Sequence, residues 1–201
     1  MNINRKLKLA IIIIISLITA VISFIAVYIA GVFFILWLIT VHSTTYSYID
    51  SLNERSKTFI VDNNECSLGY PYNYLEAHAI HPVDSNDGLM AVLNIDGKQS
   101  KDRYYIKKID FSLTGEDKTY KPVFYRIDID DNDIHTEAEL YEITRRNDWN
   151  NLQIIVDNSI INSKNVKLHA VIDIVNKRNG QKSKIEINEI LTLTSEDYDD
   201  L

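Results

Sequence analysis

From Leu9 to Val41 the chain runs for thirty-three residues without a charge or a proline. Coiled as a helix, that run would be about 50 Å long at ~1.5 Å per residue, against a hydrocarbon core about 30 Å thick. One crossing fits with length to spare. Two crossings need about 17–20 residues each, and the only breaker inside the run, Gly31, leaves too short a second leg. The sequence therefore predicts a single transmembrane helix over 9–41, behind a basic N-terminus of residues 1–8.

The flanks suggest an orientation. Arg5, Lys6 and Lys8 precede the run, and the next basic residue after it is Arg55. Basic residues bias their end of a span to the cytoplasm, and Trp37, Tyr46 and Tyr48 suit an aromatic belt at the opposite interface. A cleavable signal would have a shorter apolar core and a small-x-small site. Tyr28 stands where Tyr28-Ile29-Ala30 would need a small residue, so the helix is expected to stay as an anchor.

Within a segment apolar all round, hydrophobicity selects no face. Ser16, Ala20, Ser23, Ala26 and Ala30, spaced four, three, three and four, fall on one side of a helix. Small residues allow close helix approach in lipid, which makes these five the candidate helix-packing positions, for a homo-oligomer or a partner helix. Alanine and serine are also ordinary constituents of membrane helices.

All 28 acidic residues and 18 of the 21 basic ones follow the run, a net charge of −10. That balance opposes a nucleic-acid surface, which needs a basic footprint, and adhesion to anionic lipid. The single cysteine, Cys66, permits no internal disulfide, so stability must come from a core. No Asn-x-Ser/Thr acceptor occurs among the asparagines, and richness in Ile, Asn, Lys and Asp suits a bacterial envelope protein of the cytoplasmic membrane.

After the run, residues 42–57 are polar, with a helix-compatible stretch from Tyr48 to Lys57, and are expected to form a juxtamembrane stalk. From Thr58 the period becomes two. Tyr105, Ile109, Phe111 and Leu113 share one face of a strand, with Lys107 breaking the row. Val123, Tyr125, Ile127 and Ile129 share the next, followed by Leu152, Ile154 and Val156, then Leu168, Ala170, Ile172 and Ile174. In the last row, Ile185, Ile187, Leu191 and Leu193, Glu189 holds an inward position that suggests a bulge or an edge. Such alternation indicates antiparallel strands with one solvated face.

Asn179-Gly180 predicts a type I′ turn joining 166–177 and 182–194 as a terminal hairpin. Leu89 to Ile95 reads as a buried strand, and Tyr70, Tyr72 and Tyr74, near Pro71 and Pro82, as an edge strand with loops. The expected fold is a transmembrane helix plus an all-β domain over 58–194, an antiparallel β-sandwich of Ig-like architecture with seven to nine strands and no helix after Lys57. Residues 195–201 read as a frayed acidic tail.

Candidate chemistry is sparse. Asp128, Asp130, Asn132 and Glu139 occupy the oxygen-ligand positions of a calcium loop, but Asp133 stands where the sharp turn needs glycine, and the flanks alternate as strands. His78 and His81, with Asp84, are a weaker metal set. No nucleophile motif, glycine-rich phosphate loop or paired-carboxylate motif is legible, so neither an enzyme nor a cofactor is expected. Tyrosines such as Tyr70, Tyr72, Tyr74, Tyr104 and Tyr105, with Trp149, suit strands and core or, alternatively, a recognition patch.

The functional expectation is a membrane-anchored protein-interaction domain, the accessory subunit of an envelope complex. The alternative is a small-ligand or calcium-binding module displayed on the membrane surface.

Overall fold

The computed structural model describes residues 3–78, 82–83, 88–96, 104–129, 132–136, 140–146 and 151–200. Helix α1 (Ile3–Ile39) contains all but the last two residues of the apolar run, and 33 of its residues, Leu7–Ile39, are long and apolar enough to cross a membrane by length and composition. Thr19 and Thr40 turn their hydroxyls back onto the Ile15 and Leu36 carbonyls, so neither leaves a bare polar group on the helix. The helix stops at Ile39, two residues short of the run's end.

The β-domain comprises β1 (Val41–Ile49), β2 (Ser56–Val61), β3 (Asn64–His78), β4 (Pro82–Val83), β5 (Leu89–Asp96), β6 (Tyr104–Thr114), β7 (Thr119–Tyr120), β8 (Pro122–Ile129) and β9 (Asn132–Thr136). Helix α2 (Leu140–Arg146), β10 (Asn151–Val156), a 3-10 turn (Asn158–Asn162), β11 (Asn165–Asn176) and β12 (Lys182–Asp200) complete it. Among the described residues twelve strands, rather than seven to nine, join one sheet in the order β7-β6-β11-β12-β1-β3-β5-β10-β8-β9, with β2 and β4 paired to β3 off this path.

The expected stalk is replaced by a central strand. β1 starts at Val41, the β-branched and aromatic residues from Val41 to Ile49 favour extended backbone, and β1 lies between β12 and β3. Tyr48 is fully buried, and its hydroxyl lies 3.0 Å from both the Ile160 and Ser163 carbonyls. Glycine at 115 permits the neighbouring close approach: a Cβ there would stand 2.3 Å from Ser163 Oγ.

Between β1 and β2 the Asp50 carboxylate accepts from the Leu52 and Glu54 amides, with Asn53 at φ 62°, so residues 50–55 form a compact Asx-stabilised loop. The tail is strand as well. β12 continues to Asp200 because β1 offers it a partner; Thr44 donates to Asp197, Ser47 meets Thr194, and His42 meets Asp199.

Hairpin chemistry also moved. Asn179-Gly180 belongs to a longer loop in which only Gly180 has positive φ; Asn176 Oδ1 accepts from the Arg178 and Asn179 amides, and Asn179 Oδ1 from Gln181. The two-residue turn with both φ values positive is Asp62-Asn63 (49° and 64°), between β2 and β3, since Asp and Asn tolerate this region best after glycine. The β11–β12 hairpin itself forms in continuous register from Asn165↔Thr192 to Val175↔Lys182.

In β6 the register slips beside Lys107. That bulge turns Tyr104 and Ile106 inward with Phe111 and Leu113 and leaves Tyr105 on the outer face, packed edge-on against Tyr141. The core draws Leu68, Leu93, Phe111, Leu113, Ile127, Leu152, Ile154, Leu168 and Ile172 into one cluster, so strands from both ends of the sheet path share a single interior. Helix α2, unexpected from the pattern, contacts both β6 and β8. Its Thr144 is 0% exposed, donates from Oγ1 to the Ile106 carbonyl (2.8 Å) and accepts from the Ile106 amide (3.1 Å). These are backbone groups that β11 does not use, so the helix covers a sheet edge.

Candidate functional site

β3 is not an edge strand: it lies between β1 and β5. A one-residue register shift between Gly69 and Tyr72 interrupts its ladder with β5. At this bulge the strand changes phase. Tyr70 is buried, Tyr72 half-buried and Tyr74 exposed. Together with Thr45 and Ser47 of β1, Arg55 of the loop and Gly69, they line a recess of about 480 Å³.

Small residues make the recess possible, because Thr45, Ser47 and Gly69 leave the floor low between the tyrosines. A Cβ at Gly69 would sit 3.4 Å from the Val92 carbonyl, in ordinary contact, so any side chain there would fill space rather than break the strand. The Tyr70 hydroxyl is the distinctive polar group. Tyr70 is 2% exposed, yet its oxygen has no hydrogen-bond partner among the described residues. Buried phenols ordinarily find one.

Burial, reinforced by the charges of Glu189, Asp50 and Glu54, pushes the Tyr70 hydroxyl well above the usual phenol range. Burial alone raises Tyr72. Both side chains are therefore neutral donors at physiological pH. Arg55 pairs with Glu196 at 2.5 Å and Lys57 with Glu189 at 2.6 Å, which leaves Asp50 and Glu54 to give the surroundings their negative bias. The recess is thus aromatic-walled, with Arg55 of its lining held by Glu196 and with carboxylates outside the lining acting on Tyr70.

A second opening separates β2 from the first half of β12. β2 pairs with β3 and the first half of β12 with β11, but no ladder joins the two. Phe59, Ile60, Val61, Ser183 and Ile185 line a space of about 410 Å³ there. Side chains alone cross it: Lys57 to Glu189, and Gln181 (3.1 Å) and Ser183 (3.5 Å) to the Asp62 carboxylate. Glu189 does point inward, as the alternation implied, at an edge; its register with Leu168 is unbroken, so no bulge forms against β11.

The other sequence candidates are dispersed. Ser16, Ala20, Ser23, Ala26 and Ala30 fall on one side of α1 by helical spacing, all on exposed surface. β8 and β9 pair through Asp128↔Asp133 and Ile129↔Asn132; Asp130 and Glu139, like the side chains of Asp128 and Asn132, lie outside the described residues, as do His81, Asp84, Trp149 and the His78 side chain. No group of three or more metal-ligating residues gathers among the described residues.

Cys66 is buried and free, and burial pushes its thiol up to about 11, which suppresses thiolate chemistry. The tyrosines divide by role. Tyr70, Tyr72 and Tyr74 border the recess, whereas Tyr104 is a core residue whose hydroxyl meets Asn64 and Asp62. Sequence reading missed Arg55 and the Thr45 and Ser47 floor, because it assigned 42–57 to a stalk.

Compared with protein-family models, curated proteins and solved structures, the chain matches none.

Proposed function

We propose that this chain is a single-pass protein of a bacterial cytoplasmic membrane, N-terminus inside, whose external β-domain binds an extended segment of another envelope protein as an accessory subunit. The anchor reading draws on the length and apolarity of α1 and on Arg5, Lys6 and Lys8 before it. In this proposal the two halves of the sheet path act as the layers of a sandwich, supported by their shared core.

The observation that carries the interaction reading is the tyrosine-bordered recess at the β3 bulge, with the buried Tyr70 hydroxyl, unpartnered among the described residues, in its wall. Aromatic side chains supply large contact area at low entropic cost and are enriched where proteins bind proteins. A partner carbonyl would give Tyr70 its missing acceptor. The helix stripe is a second contact within the same reading.

A photo-reactive residue at position 74, in the full chain in membranes, is expected to give one discrete adduct, and the same residue at position 167 none. Identical adducts at both positions, or none at 74, would defeat the proposal. Leucine at Ser23 and Ala26 is expected to weaken association through the helix; unchanged co-purification would remove the stripe from it.

A further inference from the structure

We infer that the recess is a socket for a cationic side chain, a lysine or arginine, presented by the extended segment of a basic partner. The inference rests on the interaction reading and names the chemistry of the partner.

Two observations converge on it. The first is the wall: Tyr70, Tyr72 and Tyr74 stand around one space above a floor of Thr45 and Ser47. Tyrosine faces attract a cation through the ring quadrupole, more strongly as water is excluded. The second is charge. Arg55 in the lining is paired with Glu196, while Glu189, Asp50 and Glu54 outside the lining act on the Tyr70 hydroxyl with negative charge; with Lys57 paired to Glu189 these six groups sum to −2. The chain beyond the helix run carries −10 overall. An anionic ligand would meet repulsion at long and short range, whereas a basic segment is steered in and then held.

The Tyr70 phenol also stays neutral. Acidic neighbours and burial both oppose ionisation of Tyr70, so its hydroxyl remains a donor for the backbone carbonyl beside the inserted cation. Asp50 is fixed by the Leu52 and Glu54 amides, which keeps this carboxylate in place before anything binds. Ordering costs are smaller for a preformed site.

The test uses the full chain in neutral detergent and biotinylated decapeptides of alternating Ser, Thr and Val, with lysine, norleucine or glutamate at the centre. Lysine peptides are expected to bind at least about fivefold tighter than norleucine ones, and glutamate peptides weakest. Raising sodium chloride from about 50 to about 500 mM should shrink the difference. Tyr74→Ala and Glu54→Gln, both at exposed positions, should each reduce the lysine preference while the melting temperature stays unchanged.

Equal binding of lysine and norleucine peptides overturns the cationic socket and leaves the peptide-binding reading standing. Binding of none of the three overturns both. A lysine preference untouched by Tyr74→Ala and Glu54→Gln places the contact elsewhere and also overturns the socket.

Discussion

β6 and β2 face the same problem, spare backbone groups on one side of a strand, and meet it by opposite means. At β6 the edge is covered: β7 pairs with Leu113 and Thr114, and Thr144 of α2 satisfies both the amide and the carbonyl of Ile106. At β2 and the first half of β12, two edges face one another without a ladder. Lys57 and Glu189 stand there as inward charges, a recognised way to discourage strand addition. Cover satisfies the edge groups within the protein and buries the side chain that does so. Charge leaves the edge accessible while making a passing apolar strand unwelcome.

The largest effect should come from uncovering the closed edge. Thr144→Val keeps shape but strands the Ile106 amide and carbonyl, and is expected to cost about 2–4 kcal/mol in denaturant unfolding. Thr144→Ser should recover most of it. A loss under about 0.5 kcal/mol would mean that α2 is not sealing the edge.

Alkaline pH separates the interior from the facing edges next. Tyr48 and Tyr70 are raised by burial, Tyr125 is pushed up to about 12, and Cys66 up to about 11. Each binds its proton more tightly folded than unfolded, so its stabilisation is complete below the unfolded value and lost as pH climbs through the folded one. Stability should therefore be flat up to about pH 8.5 and fall from about pH 9 upward, Cys66 acting first. Cys66→Ala should shallow the slope between about pH 9 and 11; an unchanged slope would acquit the thiol.

Smallest in stability is the open pair. Replacing Lys57 and Glu189 together with methionine should change unfolding free energy by less than about 1 kcal/mol, since half-exposed ion pairs contribute little. Its signature is association: sedimentation should reveal concentration-dependent dimers absent from the parent chain. Raising salt to about 0.5 M should weaken the 2.6 Å pair without reproducing the Thr144→Val loss. A strictly monomeric double variant would show that something other than charge keeps these edges apart.

Much of the interior was legible before any coordinates, because burial on one face imposes period two. Leu168, Ala170, Ile172 and Ile174 are all buried as their spacing required, and Glu189 betrayed an edge by being charged where its neighbours are apolar. What failed did so where local signals compete with long-range pairing. His42 to Ile49 looked like a polar stalk because Ser, Thr and His are no core signature, yet β12 pairs with it from the far end of the chain. Helix α2 has seven described residues, a span too short for a helical period to register. The recess is half legible in the sequence: tyrosines at 70, 72 and 74 stand out, but the bulge that re-aims them and the floor from β1 depend on partners no local window contains.

That pairing of first strand with last also sets a timetable. Ser47 and Thr194 lie 147 positions apart, so β1, which leaves the ribosome before the other strands of the sheet, must wait for all the strands between before its neighbour β12 exists. Non-local pairing of this kind slows folding and prolongs exposure of unpaired strands. For this molecule, the centre of the sheet can close only after the strands between its two partners have been made.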